Sequence, residues 1–275
     1  MAVAGRGRIL VWEGASLWVL EGAGDHAQTD FHAHHAIQVT LALEGDFELR
    51  AAGERLTGPA VAVAPDASHI FNAAGRIAFL FVEPESADGQ ALIAAAFHGG
   101  ALAALPAPAL APHLAALSAA FTANEDDQAL TRIGRDIVSA LAGSVERAAA
   151  PDPRVQRMLA YAAANLEKPL SLPAAANAAC LSPSRARHLF VAQTGLPFKT
   201  YILWLRIRRA VEIYAAGASL TEAAHEAGFA DSAHLSRTFR RTFGVPAASL
   251  RVNSRFVQAE AGQASSIASA SAPTG

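Results

Sequence analysis

The first third of the chain alternates short apolar runs with glycine, proline and polar residues. Val, Ile, Leu and Phe are concentrated in seven runs of five to seven residues, a length and composition typical of β-strands. The predicted strands are 8–12, 16–20, 37–43, 47–51, 60–64, 69–73 and 76–82. Strands that follow one another at such short spacing predict a β-barrel or a β-sandwich.

After residue 87 the apolar positions recur with the period of helices. Helices are predicted near 88–98, 109–123 and 126–148, and the acidic run at Glu125 suits the N-terminus of the last one. Pro151-Asp-Pro153 then breaks the pattern and marks a linker. The predicted segments are a β domain over 1–87, a helical connector over 88–150, an all-α domain over 151–256 and a disordered tail over 257–275.

One short pattern occurs twice between residues 170 and 246. The first copy has an Ala-rich helix over 172–179, a turn at 180–182 and a second helix over 183–194. The second copy spans 219–246, and a helix from 198 to about 215 joins the two. The residues repeated at equivalent positions are Phe190 and Phe239, Gly195 and Gly244, and Pro197 and Pro246. A helix-turn-helix built twice predicts binding to double-stranded DNA.

The second helix of each copy has an apolar face and an outward face of basic and hydroxyl residues. Arg187 and Arg237 are expected to contact guanine edges, whereas Arg240 and Arg241 are expected to reach phosphates. Such faces also occur on ordinary solvated helices. The duplication of the pattern favours DNA contact over that alternative.

Charge is divided between the two halves of the chain. The whole chain has 22 Lys and Arg against 24 Asp and Glu, a net charge of −2. Residues 151–256 carry 14 basic and 6 acidic residues, net +8, whereas residues 1–150 carry 8 and 17, net −9. A basic half attracts DNA phosphates and an acidic half repels them, which favours a control domain joined to a DNA-binding domain.

Residues 154–252 resemble the DNA-binding domain of the AraC/XylS family of bacterial transcription regulators. The segments that carry the resemblance include Leu181-Ser-Pro-Ser, Thr194-Gly195, Leu205-Arg-x-x-Arg-Ala, Ala227-Gly-Phe-Ala-Asp-Ser and Phe239-Arg-Arg-Thr-Phe-Gly. The resemblance implies seven helices, two recognition helices on one face of the duplex, and RNA polymerase as a partner. The base-facing positions that it implies are Ser184, Arg187, His188, Ser232, His234, Ser236 and Arg237.

Two residues of the first copy depart from the family pattern. Cys180 stands at a turn position where glycine is common, and a residue with a side chain and positive φ costs about 1 kcal/mol there. Ala186 replaces a usual large apolar residue. Both departures predict a first unit that is packed less tightly than the second.

The predicted strands also resemble the cupin barrel, whose two histidine motifs supply metal ligands. The matching residues are His32, His34, Gln38 and His69. Three imidazoles and an amide oxygen could hold Fe, Mn, Ni or Zn, but Gln38 stands where the family usually has a carboxylate. We favour the interpretation that these side chains line an effector pocket or are the remnant of a metal site, and expect no cofactor and little or no metal.

The sequence therefore predicts an α+β protein with a cupin-like barrel, central helices and two helix-turn-helix units. It is expected to be a transcription regulator, most simply an activator, that responds to a small-molecule effector, and to dimerise through 88–150. The alternative is a metal-dependent cupin dioxygenase or isomerase with an accessory DNA-binding domain. A single cysteine, Cys180, and the lack of a signal peptide or membrane-spanning run favour the bacterial cytoplasm, at the nucleoid, with no membrane partner.

Overall fold

The computed structural model describes residues 7–22, 27–143, 152–250 and 254–258. The strands are β1 Gly7–Trp12, β2 Ala15–Glu21, β3 Ala27–Gln28, β4 Ile37–Ala51, β5 Glu54–Thr57, β6 Ala60–Val63, β7 His69–Val82, β8 Leu102–Ala104 and β9 Ser254–Gln258. The helices are α1 Ala87–Ala96, α2 Ala107–Thr122, α3 Asp127–Ala142, α4 Pro153–Ala163, α5 Leu172–Ala178, α6 Pro183–Thr194, α7 Phe198–Ala215, α8 Leu220–Glu226 and α9 Ser232–Phe243. This order confirms the predicted combination of an N-terminal antiparallel sheet with a helical C-terminal half.

The strands form one sheet in the order β8-β6-β4-β7-β2-β1-β9, with β3 added to β7 and β5 to β4. All the pairs are antiparallel except that between β1 and β9. Within the described residues the hydrogen-bonded strand order runs from β8 to β9 and does not close into a ring. We call residues 7–82 the sheet domain.

Two pairs of predicted strands are single long strands in the structure. The runs 37–43 and 47–51 are both in β4, and the runs 69–73 and 76–82 are both in β7. Gly45 and Gly75 lie opposite each other with φ of 85° and 84°, and a Cβ on either would lie within 2.4 Å of a backbone oxygen of the facing strand. In the sequence, Gly45 and Gly75 look like turn residues that separate strands. In the structure, each lies within one continuous strand, β4 or β7, close to a local irregularity of the pairing.

The C-terminal boundary also differs from the prediction. Residues 254–256 were assigned to the DNA-binding segment and 257–258 to a disordered tail, but Ser254–Gln258 pairs in parallel with β1. The pairing depends on a strand some 240 residues away in sequence, so local pattern did not reveal it. The rest of the predicted tail, 259–275, lies outside the described residues, as does the predicted end of the third helix at 144–148.

The first three helices cover one face of the sheet domain. Leu117 and Phe121 of α2 and Ile137 of α3 pack against sheet residues such as Leu17 and Leu80. Arg8 crosses this layer, and its guanidinium donates to the backbone oxygen of Glu125 at 2.6 Å, to Asp127 at 3.1 Å, and to Asn124. This buried arginine ties the first strand to the start of α3.

The C-terminal half contains six α-helices and the 3-10 helix Ala247–Leu250 over residues 152–250. Its core is continuous with the sheet domain. The ring of Phe243, at the end of α9, lies 5.3 Å from that of Trp18 and 5.9 Å from that of Phe81. The two halves that differ so strongly in charge thus share buried apolar surface.

None of the described helices has both the length and the apolar character needed to cross a membrane.

We expect Arg8→Ala to lower the free energy of unfolding by about 3 kcal/mol, because Asp127 would remain buried without its guanidinium partner. Urea denaturation monitored by circular dichroism measures the change. Arg132→Ala, which removes an exposed arginine of α3, is the matched control and should change stability by less than about 0.5 kcal/mol. Equal stability of the two variants would contradict a structural role for Arg8.

Candidate nucleic-acid interface

The first helix-turn-helix unit consists of α5 and α6. The Ser182 hydroxyl accepts a hydrogen bond from the Arg185 amide at 3.4 Å, and Pro183 occupies the first helical turn. Ala186 and Phe190 are fully buried. This packing leaves the three predicted base-facing residues of the unit exposed, namely Ser184, Arg187 and His188.

The turn of this unit has the predicted left-handed backbone. Cys180 has a φ of 56°, and the equivalent Gly228 of the second unit has a φ of 78°. A Cβ on Gly228 would lie 2.3 Å from the Leu166 backbone oxygen. The second unit therefore requires glycine at this turn, whereas the first tolerates an exposed cysteine with some backbone strain.

The second unit consists of α8 and α9, and each helix begins with a side-chain cap. Ser219 and Glu222 form a capping box at the start of α8. The Asp231 carboxylate accepts from the His234 amide at 2.6 Å and caps α9. Sequence reasoning missed Asp231 as a cap, although an aspartate directly before the apolar helix pattern is a recognised signal.

The outward face of α9 contains the other predicted DNA contacts. Leu235 and Phe239 are buried, which turns Arg237 and Arg241 to the solvent. The remaining predicted base-facing residues, Ser232, His234 and Ser236, are half-buried. The structure thus brings all the predicted residues of this unit to one helix, with the arginines the most accessible.

Arg240 is held by the sheet domain. Its Nε donates to the Asp30 carboxylate at 2.7 Å, and the Asp30 amide donates to the Gly244 backbone oxygen at 2.8 Å. A Cβ on Gly244 would lie 2.6 Å from the Asp30 oxygen and from His32 Nδ1. The end of the second recognition helix therefore lies directly against residues 29–35, which we call the arm.

The connector α7 also contacts the sheet domain. It has 18 residues and so is about 27 Å long. Arg206 donates to the Leu166 and Lys168 backbone oxygens, and Arg208 pairs with Glu83 of the sheet domain. The arginines of α7 therefore serve intramolecular contacts, and Tyr201 and Trp204 pack close to the ring of His35.

His35 is at the centre of a buried ion network that was not foreseen from the sequence. Its Nδ1 lies 3.1 Å from Asp66 and its Nε2 lies 2.5 Å from Glu85. Burial lowers the pKa of His35, but the hydrogen bonds and charges of the two carboxylates outweigh burial and raise the pKa to about 9. His35 is therefore an imidazolium at neutral pH, beside the contact with α7.

The arm and β7 bring three other histidines together. The rings of His32, His34 and His69 are buried, with centroids between 4.1 and 5.9 Å apart. Each Nδ1 lies 2.9 Å from a backbone carbonyl oxygen, that of Asp30, Ala36 or Ala67 respectively. Because a carbonyl only accepts, each Nδ1 carries the proton. His69 Nε2 has no partner among the described residues, whereas His34 Nε2 is hydrogen-bonded to the Gln38 side chain.

Burial keeps these three imidazoles neutral. Burial, followed by repulsion from His34, lowers the pKa of His32 to about 4. Burial and the other two histidines lower the pKa of His69 to about 2, and burial also lowers that of His34. Neutral imidazoles are the form that binds metal ions.

The donor set fits a metal ion. One nitrogen from each histidine can be chosen so that all three lie within 4.8 Å of one another, and His69 Nε2 is buried with no hydrogen-bond partner among the described residues. The Gln38 side-chain amide lies beside the cluster, hydrogen-bonded to His34 Nε2 at 3.0 Å. The predicted ligands His32, His34, Gln38 and His69 are thus in one place.

A narrow cavity separates the sheet domain from α7 and α9. Its volume is about 30 Å³, room for only about two water molecules. The aromatic lining comes from Trp18, Phe81, Trp204 and Phe243, and the ion pair of Arg208 and Glu83 lies at its side. Its lining does not include the three histidines, so they do not face this cavity.

Comparisons with known proteins agree with this arrangement. A family model described as a helix-turn-helix domain matches residues 175–253. The crystal structure of ToxT from Vibrio cholerae O395 aligns with a TM-score of 0.55 and 10% identity over 85% of this chain and 95% of ToxT. The crystal structure of unsaturated fatty acid bound ToxT from strain SCE256 aligns with a TM-score of 0.51 and 12% identity over 84% and 92%. At such low identity the similarity shows the fold alone.

The match over residues 175–253 shows that the C-terminal half contains a helix-turn-helix domain, which the structure resolves as two capped units, and the chain as a whole has a fold similar to that of ToxT.

Proposed function

We propose that this chain is a DNA-binding transcription regulator of the AraC/XylS family, and that its DNA binding changes when a small-molecule effector alters the contact between the sheet domain and α9, the second of its two recognition helices. The observation that carries this proposal is the position of α9, which begins with base-facing residues and ends against the arm. Gly244 and Arg240 are both held by Asp30. A change in the sheet domain therefore has a short physical route to the DNA-binding surface.

The cavity between the halves is the site we propose for an organic effector. Aromatic rings from both halves line it, so a small apolar molecule inserted there would contact the sheet domain and α9 together. An anionic group on that molecule would compete with Glu83 for Arg208. The ToxT structure in complex with an unsaturated fatty acid supports an apolar ligand for this fold. Because the cavity is small, binding requires the two halves to separate.

The remaining predictions about partners extend this proposal. Activation through RNA polymerase is proposed from the resemblance, and dimerisation through residues 88–150 from the helical pattern. The cytoplasmic, nucleoid-associated location follows from the function.

The cupin enzyme alternative is favoured only by the histidine cluster, and turnover with added Fe or Mn would support it.

We expect Arg187→Ala and Arg237→Ala each to cost about 1 to 3 kcal/mol of specific binding and to relax base preference in one half of the site. Selection of bound sequences from a random DNA library, followed by affinity titration, measures both effects. Arg55→Ala, an exposed arginine of the sheet domain, is the control. Unchanged preference in Arg237→Ala would exclude α9 as a recognition helix.

Asp231 offers a separate test of the start of α9. Asp231→Ala should destabilise the chain by about 1 kcal/mol relative to Asp231→Asn, because both remove the charge but asparagine still caps the helix. The alanine variant should also bind specific DNA more weakly, since Ser232 and His234 lie in the frayed turn. Thermal unfolding and DNA titration of the two variants would show equal values if the cap were irrelevant.

The charge division predicts how salt and the N-terminal half affect binding. Residues 151–256 alone should bind DNA at low salt at least as tightly as the full chain, because the segment of net charge −9 is removed. The logarithm of affinity should fall linearly with the logarithm of salt concentration, with a slope of about −0.9 per phosphate contact. Because α7 and α9 share a core with the sheet domain, circular dichroism must first show that the fragment is folded. A folded fragment that binds no DNA at low salt would contradict the modular interpretation.

A further inference from the structure

We propose that a divalent transition metal ion held by His32, His34 and His69 fixes the arm on α9 and lowers DNA affinity. The resemblance to the cupin barrel implies the ion, and the geometry of the cluster fits it. The coupling to α9 is inferred from the contacts of this chain, and its effect on DNA rests on the proposed function.

The cluster has the arrangement of prepared ligands. All three Nδ1 atoms donate to backbone carbonyls of the chain segments that carry the rings, at 2.9 Å each. Such contacts fix the ring orientation and the tautomer of metal-binding histidines. His69 Nε2 is buried without a partner among the described residues, and His34 Nε2 is hydrogen-bonded only to the Gln38 side chain. A buried imidazole nitrogen without a partner is costly unless a ligand occupies it, and this observation favours metal over our expectation of little or none.

The donor chemistry selects the class of ion. Three imidazoles suit zinc, nickel, copper and iron, whereas calcium and magnesium prefer oxygen ligands. At a metal–nitrogen distance of about 2.1 Å, neighbouring tetrahedral ligands lie about 3.4 Å apart. One nitrogen from each histidine lies within 4.8 Å of the other two, which is close enough for a shared ion after small ring movements. Gln38 Oε1, beside His34 Nε2, can supply an oxygen ligand.

A short chain of hydrogen bonds connects the histidine cluster to α9. The His32 ring donates to the Asp30 backbone oxygen, the Asp30 amide donates to Gly244, and the Asp30 carboxylate accepts from Arg240. On the other side of the cluster, the Phe243 ring lies 6.3 Å from that of His34. A displacement of the His32 ring would therefore move Asp30 and change its contacts with the end of α9.

This connection determines the expected direction of the effect. His32 and His34 belong to the arm, whereas His69 begins β7. The backbones of His32 and His69 already form a bridge, with hydrogen bonds of 3.0 and 2.9 Å. An ion shared among the three histidines would strengthen this link and hold Asp30 where it pairs with Arg240. Phosphate would then displace the Asp30 carboxylate less easily than in the metal-free chain.

The first experiment measures metal binding to the full chain without DNA. After dialysis against a chelator, we expect calorimetry to show one Zn²⁺ per chain, and Co²⁺ to produce visible absorption bands of a nitrogen-ligated site. His69→Ala and the conservative His32→Gln should each weaken Zn²⁺ binding at least about tenfold. His98→Ala, which removes an exposed histidine outside the cluster, should bind as the wild type does.

Two further measurements distinguish a variant that has lost a metal ligand from a variant that has failed to fold. Zn²⁺ should raise the unfolding temperature of the wild type and of His98→Ala, but not that of His69→Ala. Gln38→Glu should bind Zn²⁺ more tightly than the wild type, because it adds an anionic ligand. Absence of Zn²⁺ binding by the wild type, or wild-type affinity in both His69→Ala and His32→Gln, would overturn the metal site.

The second experiment measures affinity for a random-sequence DNA duplex at low salt, because a phosphate contact needs no operator. We expect one equivalent of Zn²⁺ to lower the affinity of the wild type about threefold, a size consistent with one exposed ion pair. Asp30→Asn should still bind Zn²⁺ but lose the effect on DNA, and Arg240→Ala should bind weakly with or without Zn²⁺. His69→Ala with Zn²⁺ controls for metal that bridges DNA and protein.

The outcomes distinguish the two levels of the proposal. Zn²⁺ binding that leaves DNA affinity unchanged, or an equal effect in Asp30→Asn, would overturn the coupling while leaving the regulator function intact. A chain that binds Zn²⁺ but no DNA under any condition would instead contradict the proposed function.

Discussion

The structure depends on the apolar contact that joins the end of α9 and the side of α7 to the sheet domain. Phe243 lies between Trp18 and Phe81, and Trp204 closes the same cluster. Burying one aromatic side chain contributes about 2 to 3 kcal/mol, whereas an exposed ion pair contributes at most about 1 kcal/mol. The rings therefore hold the two halves together, and the polar contacts around them adjust the position.

The regulation that we propose lies at the edge of this apolar contact. The pair of Arg240 and Asp30 is exposed to water and is easily exchanged for a phosphate. Breaking it leaves the aromatic core intact, so the recognition helix can change its environment without unfolding. If exposed ion pairs alone joined α9 to the sheet domain, the helix would dissociate from it. If aromatic contacts alone joined them, binding of an ion or a small molecule would not change the position of the helix.

The histidines beside this contact have two different electrostatic states. His35 is charged because Asp66 and Glu85 surround it, whereas His32, His34 and His69 are neutral because they are buried among one another. Residues 34 and 35 are adjacent in sequence, but the ring of His34 packs against those of His32 and His69, whereas His35 pairs with Asp66 and Glu85.

The sequence by itself determined the parts of the protein that depend on local chemistry. The cap at Ser182, the glycine ends of α6 and α9 and the buried Phe190 and Phe239 follow from residue type and spacing. The strained turn at Cys180 was implied by the resemblance to the AraC/XylS family. The tertiary structure decided what meets across long separations: β9 on β1, Asp30 on Arg240, and α9 beside the histidine cluster. Period and propensity describe one element at a time, whereas docking depends on the shapes of two folded surfaces, which no single segment encodes.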